Sequence, residues 1–348
     1  MNTYPKGSEW RLWDLHIHTP ASYNFKRGGF AGMNPDERSA AIKQVIKNIN
    51  ESDVSVYAIN DYWTFDGYLA LRAAHDAGDI IQKTVFPGIE LRIESNTNYR
   101  LNIHVILSNE LTVQDLEDFK SKLMVRIVKR PLSDEALRNF ALKLDPSKAN
   151  LHGGVDSYRD DPERQFQIGA QTAEITKDSF VEALEMIPAD KRLVMIPYDC
   201  YGGVERIDWR TQMAEDIYFL QLGDIFEERL QENIDLFAGR LTPINQEFIK
   251  NFQISIGGRP KPCVSGSDGH SIEGFKTWRK ETKTRKTWIK ADPTFEGLRQ
   301  IIFEPTARVR VQETNPGLSY TKPYVSSVSI SHEMSPFPDG CSLNFMTD

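Results

Sequence analysis

His16 and His18 close the run Arg11-Leu-Trp-Asp-Leu-His-Ile-His18, and two imidazoles one residue apart on a strand are placed to share a metal ion. A strand repeats every second residue, so Trp13, Leu15 and Ile17 take one face and Asp14, His16 and His18 the other. Two residues of strand separate the histidines by about 6.5 to 7 Å along the backbone, near enough for the rings to converge. Four further segments carry matching residue types. Phe86-Pro-Gly-Ile-Glu90 ends an apolar run in a carboxylate, and Leu101-Asn-Ile-His-Val-Ile-Leu107 sets His104 in the middle of another. Ser265-Gly-Ser-Asp-Gly-His270 brings Asp268 and His270 together among glycines, which let a backbone come close to a ligand, and Asp61 follows the run Val54–Asn60. Taken singly, a histidine placed like His104 is more often a hydrogen-bonded core residue than a ligand, and Glu90 reads also as a solvated strand end and Asp268 as a turn residue; together they reinforce one another. Mixed imidazole and carboxylate ligands suit zinc, manganese or iron. Two such ions about 3.5–4 Å apart, bridged by a carboxylate such as Glu90, clamp the attacking and leaving oxygens of a phosphoester. The nucleophile is then water, and no G-x-S-x-G element is present.

Elements must bring these groups to one place. β-rich runs at 11–18, 54–60, 84–90, 101–107, 192–198, about 217–222 and 262–268 alternate with helical stretches, the pattern of an α/β barrel. Barrel enzymes build their sites at the C-terminal ends of the strands. Asn34-Pro-Asp-Glu37 predicts a helix start, with Ala40, Ala41, Val45, Ile46 and Ile49 at helical spacing, and a second helix is expected near 66–78. The stretch 111–190, helical at both ends and polar from Asp145 to Arg164, reads as an insertion that shapes access. The segment 292–304 is expected to cap the barrel. After Val311 a loop leads to Val325–Ile330, which alternates like a strand with no partner in view, so the division is a barrel over 1–310 and a linker and tail over 311–348.

The 348 residues are 40% hydrophobic and 26% charged, with a net charge of −7. That is the composition of an ordinary globular protein, and an acidic total still permits a local basic channel. Cys200, Cys263 and Cys341 form no close pair, against a disulfide framework or a zinc knuckle. No apolar run approaches a membrane span and the first ten residues lack a signal-peptide core, so a cytoplasmic protein with no membrane partner is expected. Lys276 to Lys290 holds seven basic residues against one acid, with Trp278 and Trp288 among them. Arg279 and Lys280 in this run, with Lys26, Arg27 and Arg92, are candidates to hold a nucleic-acid phosphate while the indoles stack on bases. The alternative is a solvated loop whose tryptophans pack into the barrel.

With these motifs in order, the sequence resembles the PHP (polymerase and histidinol phosphatase) superfamily of metal-dependent phosphoesterases over about 9–310. Asp14-Leu-His-Ile-His-Thr19, Asn60-Asp-Tyr62, Gly88-Ile-Glu90 with His104, and Gly266-Ser-Asp-Gly-His270 are similar to its successive motifs. The resemblance implies a distorted (β/α)7 barrel with two or three divalent ions: His16, His18, Glu90 and Asp268 on one, Glu90 and His104 on a second, His270 on a third. Tyr62 replaces a motif histidine, and Met195-Ile-Pro-Tyr-Asp199 lacks another, so Asp199, or His152, is expected to complete the second site. Glu90, Asp268 and His270 are its implied catalytic groups. Ala58–Tyr68 and Trp288–Arg299 further resemble the PHP region of TrlF-type proteins, where an SMC-like or AAA-like ATPase follows; no G-x-x-x-x-G-K-[ST] loop occurs here. A nuclease, coupled to an ATPase domain or subunit and acting in anti-phage defence, is the function this resemblance implies. A small-molecule phosphatase, or a scaffold that binds nucleic acid or a partner without turnover, are the alternatives.

Overall fold

A computed structural model describes residues 9–97, 99–145, 147, 149, 156–200, 202–276, 278, 285–319, 327–329 and 342–344. Nine strands form one sheet: β1 (Trp10–Ile17), β2 (Val56–Tyr62), β3 (Thr84–Ile93), β4 (Leu101–Leu107), β5 (Arg192–Pro197), β6 (Ile225–Glu227), β7 (Cys263–Val264), β8 (Lys286–Lys290) and β9 (Val309–Gln312). Their spatial order is β9-β8-β1-β2-β3-β4-β5-β6-β7. Ile17 bridges to Gly269, just beyond β7, so the sheet curls into a nearly closed, distorted α/β barrel. The pairs β1/β2, β2/β3, β5/β6 and β6/β7 are parallel, whereas β4 runs antiparallel to both β3 and β5. Because β4 is reversed, His104 sits in mid-strand opposite Glu90, not at a C-terminal edge.

Two apolar layers hold the barrel. Trp13, Leu15, Val56, Ala58, Phe86, Ile106, Met195 and Ile225 fill its interior, while Leu12, Tyr57, Ile59, Ile89, Leu91, Val105 and Ile196 face the surrounding helices. Helix α1 (Pro35–Glu51) starts where expected: Asn34 Oδ1 accepts from Glu37 N at 3.0 Å, Glu37 Oε2 accepts from Asn34 N at 2.8 Å, and Pro35 takes the first helical position. Helix α2 spans Asp66–Asp76. The stretch 111–190 packs as helices α3 (Val113–Lys122), α4 (Asp134–Lys143), α5 (Pro162–Thr172) and α6 (Lys177–Glu185). It is tied to the end of β3, where Ile175 N donates to Arg92 O at 2.8 Å and Glu94 N to Ile175 O at 2.9 Å. Within the polar part of that stretch, α5 already begins at Pro162.

The apolar run near 217–222 is not a strand. It lies in helix α7 (Met213–Leu222), followed by the three-residue β6; a helix apolar on nearly every side carries no period to distinguish it from a buried strand. Helices α8 (Gln231–Phe237) and α9 (Ile249–Ser255) follow. Helix α10 (Phe295–Phe303) does cap the barrel, placing Phe295, Leu298 and Ile301 in the interior layer, each worth about 1.5–3 kcal/mol by burial. Of 262–268 only Cys263–Val264 is strand, and the rest is the loop that carries Asp268. In the tail, Ser327–Ser329 does have a partner, pairing antiparallel with Ser342–Asn344. No helix among the described residues is long and apolar enough to cross a membrane.

Candidate metal centre

The expected alternation along β1 breaks where it matters. The β1/β2 register shifts between Asp14 and Ile17, and a bulge of this kind turns following side chains to the other face. Trp13 and Leu15 point into the barrel, Ile17 joins the outer layer, and His16 and His18 face inward above the apolar plug. Both are buried, at 1% and 0% exposure. Asp14 is not among the convergent atoms. It accepts from His16 N at 3.3 Å and Ser267 N at 3.0 Å, tying β1 to the Asp268 loop, and burial raises its pKa to about 6.

His16 Nε2 and His18 Nε2 lie 3.2 Å apart. Glu90 Oε2 is 3.5 and 3.4 Å from them, and Asp268 Oδ1 is 3.6 Å from each. Neighbouring ligands of one ion, with bonds near 2.0–2.2 Å, stand about 3 to 3.6 Å apart, so these separations fit a shared cation. His16, His104 and Glu227 form a second such group, with ligand atoms within 4.8 Å of one another. Glu90 Oε2 and both ring nitrogens of His104 are buried and have no hydrogen-bond partner. Unsatisfied polar atoms at this depth cost about 1–3 kcal/mol each, and a cation would satisfy Glu90 Oε2 and the one His104 nitrogen that carries a lone pair.

The supports are equally specific. His16 Nδ1 donates to Glu227 Oε2 at 2.8 Å, which turns Nε2 toward His18, Glu90 and Asp268, as carboxylates behind metal-binding histidines do. Asn102 Nδ2 donates to Glu90 Oε1 at 2.7 Å, leaving Oε2 for the centre. Asp268 has φ +48°, a left-handed conformation that aspartate adopts more readily than most residues. Its N–H donates to His16 O at 2.8 Å, and His18 N to Gly269 O at 3.1 Å. Gly266 makes this crossing possible, since a Cβ there would stand 2.2 Å from His16 Cβ.

Burial opposes charge on every group, and the neighbours decide the balance. Burial holds His18 and His104 at about 4. Burial also opposes protonation of His16, but the carboxylate of Glu227 outweighs it and its pKa is raised. For Glu90 burial is overcome by His104 and His16, giving about 2, and for Asp268 by His18 and His270, which keep it ionised. The cluster is a set of carboxylates held negative beside imidazoles.

No protein-family profile and no curated protein matches this sequence. Among solved structures, the chain is similar to an amidohydrolase from Chromobacterium violaceum, at 14% identity and TM-score 0.43, covering 86% of this chain and 98% of that one. It is similar also to a protein described as a metal-dependent phosphoesterase from Bifidobacterium adolescentis, at 11% identity and TM-score 0.39, covering 87% and 98%. A lesion-specific endonuclease from Pyrococcus furiosus is similar at 12% identity and TM-score 0.45, covering 87% of this chain and 57% of that one.

The structure thus brings His16, His18, Glu90, His104 and Asp268 together, with His270 beside them: its Nε2 is 2.9 Å from Asp268 Oδ1 and its ring stacks on His18 at 4.2 Å. Asp61 falls on the opposite parity of β2 from Tyr62, and both its oxygens are taken by Thr19, from N and Oγ1 at 2.6 Å each. Asp199 lies outside both ligand groups, with a buried, unpartnered Oδ1. Glu227, which the sequence reading did not single out, is the carboxylate behind His16. Its signal was the end of Asp224-Ile-Phe-Glu227, hidden by reading α7 as the strand. Arg92 is two residues beyond Glu90, partly buried, with Nη2 donating to Tyr23 OH at 3.0 Å. Lys26 is exposed, its N–H donating to His270 O at 2.9 Å, and Arg27 follows in a short 3-10 helix, Lys26–Gly32. Arg279, Lys280 and His152 lie outside the described residues. Trp278 and Trp288 pack against the outer apolar layer, which favours the packing reading over base stacking.

Proposed function

We propose that this chain is a metal-dependent phosphoesterase that hydrolyses phosphodiesters of DNA or RNA. The observation that carries it is the convergence of His16 Nε2, His18 Nε2, Glu90 Oε2 and Asp268 Oδ1, from three separate parts of the chain, at 3.2–3.6 Å between each imidazole and its neighbours. These four would hold one divalent ion, with Glu90 and His104 serving a second. Divalent ions held there supply Lewis-acid polarisation of a phosphoryl oxygen and an acidified water. The chain's own work is positional. Glu227 fixes the tautomer of His16, Asn102 aims Glu90, and the Gly266 crossing sets Asp268. His270, the one imidazole of the group with appreciable exposure, at 19% of its side chain, has Nε2 2.9 Å from Asp268 Oδ1, and would steady that carboxylate or serve a third ion. Asp61, locked to Thr19, positions the loop after β1.

Bis-p-nitrophenyl phosphate with manganese or zinc is the direct test: hydrolysis by the wild type, abolished by chelator and by His16→Ala, is the expected result. No hydrolysis of it or of any DNA or RNA by a metal-loaded chain leaves the scaffold reading in its place. One observation favours a phosphatase of small molecules instead. Helix α5 is held to the ends of β2 and β3, Ala170 O accepting from Trp63 Nε1 at 2.9 Å and from Arg92 Nη1, and preference for p-nitrophenyl phosphate over the diester would select that reading. An ATPase, in the same polypeptide or as a subunit, and a role in anti-phage defence belong to this proposal on the family resemblance alone; ATP-dependent cleavage in the reconstituted pair is their test.

A further inference from the structure

Glu227 stands behind His16, and His18 has a counterpart of a different kind. While its Nε2 faces the cluster, its Nδ1 faces the loop after β1, where Ser22 Oγ lies 3.4 Å away. Both residues are buried, at 0% and 1% exposure. The end of β2 ties that loop down twice: Asp61 accepts both donors of Thr19, and Tyr62 N donates to Ser22 Oγ at 3.3 Å. Ser22 Oγ in turn donates to Asn24 Oδ1 at 2.9 Å. A hydroxyl has one proton and two lone pairs. The proton goes to Asn24 and one lone pair takes the Tyr62 N–H, so only a lone pair is left for His18 Nδ1, which must then carry the hydrogen. The Nε2 lone pair is thereby turned to the cluster.

The neighbouring rings hold the plane of His18 but not its sense. Tyr62 lies parallel to it at 5.4 Å and 3°, and His270 at 4.2 Å and 10°. Turning the imidazole over within that plane exchanges Nδ1 with Cδ2 and Nε2 with Cε1, which would leave a carbon among the ligands. Stacking fits both orientations equally, whereas the bond made by the nitrogen facing away selects one of them. We infer that Ser22, held by Asn24 and Tyr62, is a positioning residue that sets the tautomer and orientation of His18, and through them the affinity for the ion that His16, His18, Glu90 and Asp268 would share. This rests on the metal-centre reading under the proposed function, and its test requires no turnover.

Long-range proton–nitrogen correlation NMR on the full chain, carrying isotope-labelled histidine and stripped of metal by chelator, reads the tautomer of each imidazole, with His18→Gln identifying the signals of His18. The wild type shows His18 in the Nδ1–H form alone. Ser22→Ala shows a mixture with the Nε2–H form and binds zinc about tenfold more weakly in competition with a chromophoric chelator, while a folded Ser22→Thr chain, which keeps the hydroxyl, returns both readings to those of the wild type. An Nε2–H His18 in the wild type overturns the inference without recourse to any variant. So does a Ser22→Ala chain, folded by circular dichroism, that keeps the wild-type tautomer or binds zinc within twofold of the wild type. A chain that hydrolyses no phosphodiester leaves these readings standing, and one that hydrolyses it with an Nε2–H His18 fails this inference alone.

Discussion

Glu227→Gln changes one oxygen to an amide nitrogen and almost no volume, yet the structure leaves the glutamine no acceptable orientation. Glu227 Oε2 accepts from His16 Nδ1 at 2.8 Å and Oε1 accepts from Gly266 N at 3.3 Å, so both positions need an acceptor and glutamine has one. If the amide nitrogen faces Gly266, two donors oppose each other in a buried loop. If it faces His16, Nδ1 must become the acceptor, the proton moves to Nε2, and the nitrogen that points at the metal ligands loses its lone pair. Partners of this kind behind a metal-bound histidine are worth about 10- to 100-fold in metal affinity, or about 1.4 to 2.7 kcal/mol. Competition with a chromophoric chelator for zinc and manganese measures this directly, with circular dichroism as the control for folding. A folded Glu227→Gln chain that binds metal within twofold of the wild type would refute the orienting role.

Further outcomes follow from the same geometry. Gly266→Ala, whose Cβ would meet His16 Cβ at 2.2 Å, should cost about 1–3 kcal/mol of stability and displace the Asp268 loop, read as a lowered Tm with loss of bound metal. Asp268→Asn should abolish hydrolysis of bis-p-nitrophenyl phosphate with the circular dichroism spectrum unchanged; a spectrum of an unfolded chain would make Asp268 a structural residue. Burial raises the pKa of Asp61 from 3.8 to about 7, so the native state holds a proton that the unfolded chain has released. That stabilisation is complete below about pH 4 and lost as pH rises through about 7. Asp61→Asn keeps a neutral side chain, so urea unfolding should find it gaining on the wild type by up to about 4 kcal/mol between pH 4 and 8, and a constant difference would contradict this. Lys261 Nζ donates to Leu220 O at 2.8 Å and Gln221 O at 3.1 Å, and also to Gly223 O. Lys261→Met should therefore destabilise the end of α7 by about 1–2 kcal/mol without altering metal affinity.

The candidate ligands were legible in the sequence wherever a strand was long enough to show its period. Glu90 and His104 lie in strands of ten and seven residues, and their inward facing follows from alternation with Ile89, Leu91, Ile103 and Val105. The same parity argument, applied to β2, separates Asp61 from Tyr62, but only once the strand is known to extend to Tyr62. His16 and His18 were found by residue type, while their orientation depends on a bulge that no local pattern announces. Glu227 was missed because a three-residue strand carries no measurable period and the apolar helix before it imitates one. Asn102 and Gly266 support the site through contacts between residues distant in the chain, which spacing cannot reveal.

The proposed chemistry depends on a cation shared by residues of β1, β3 and the Asp268 loop. Anomalous diffraction from crystals soaked in manganese tests it most directly. A peak is expected at bonding distance, about 2.0–2.3 Å, from His16 Nε2, His18 Nε2, Glu90 Oε2 and Asp268 Oδ1, and is lost in His16→Ala. A fully soaked crystal with no peak between these four atoms, or with manganese bound only elsewhere, would contradict it.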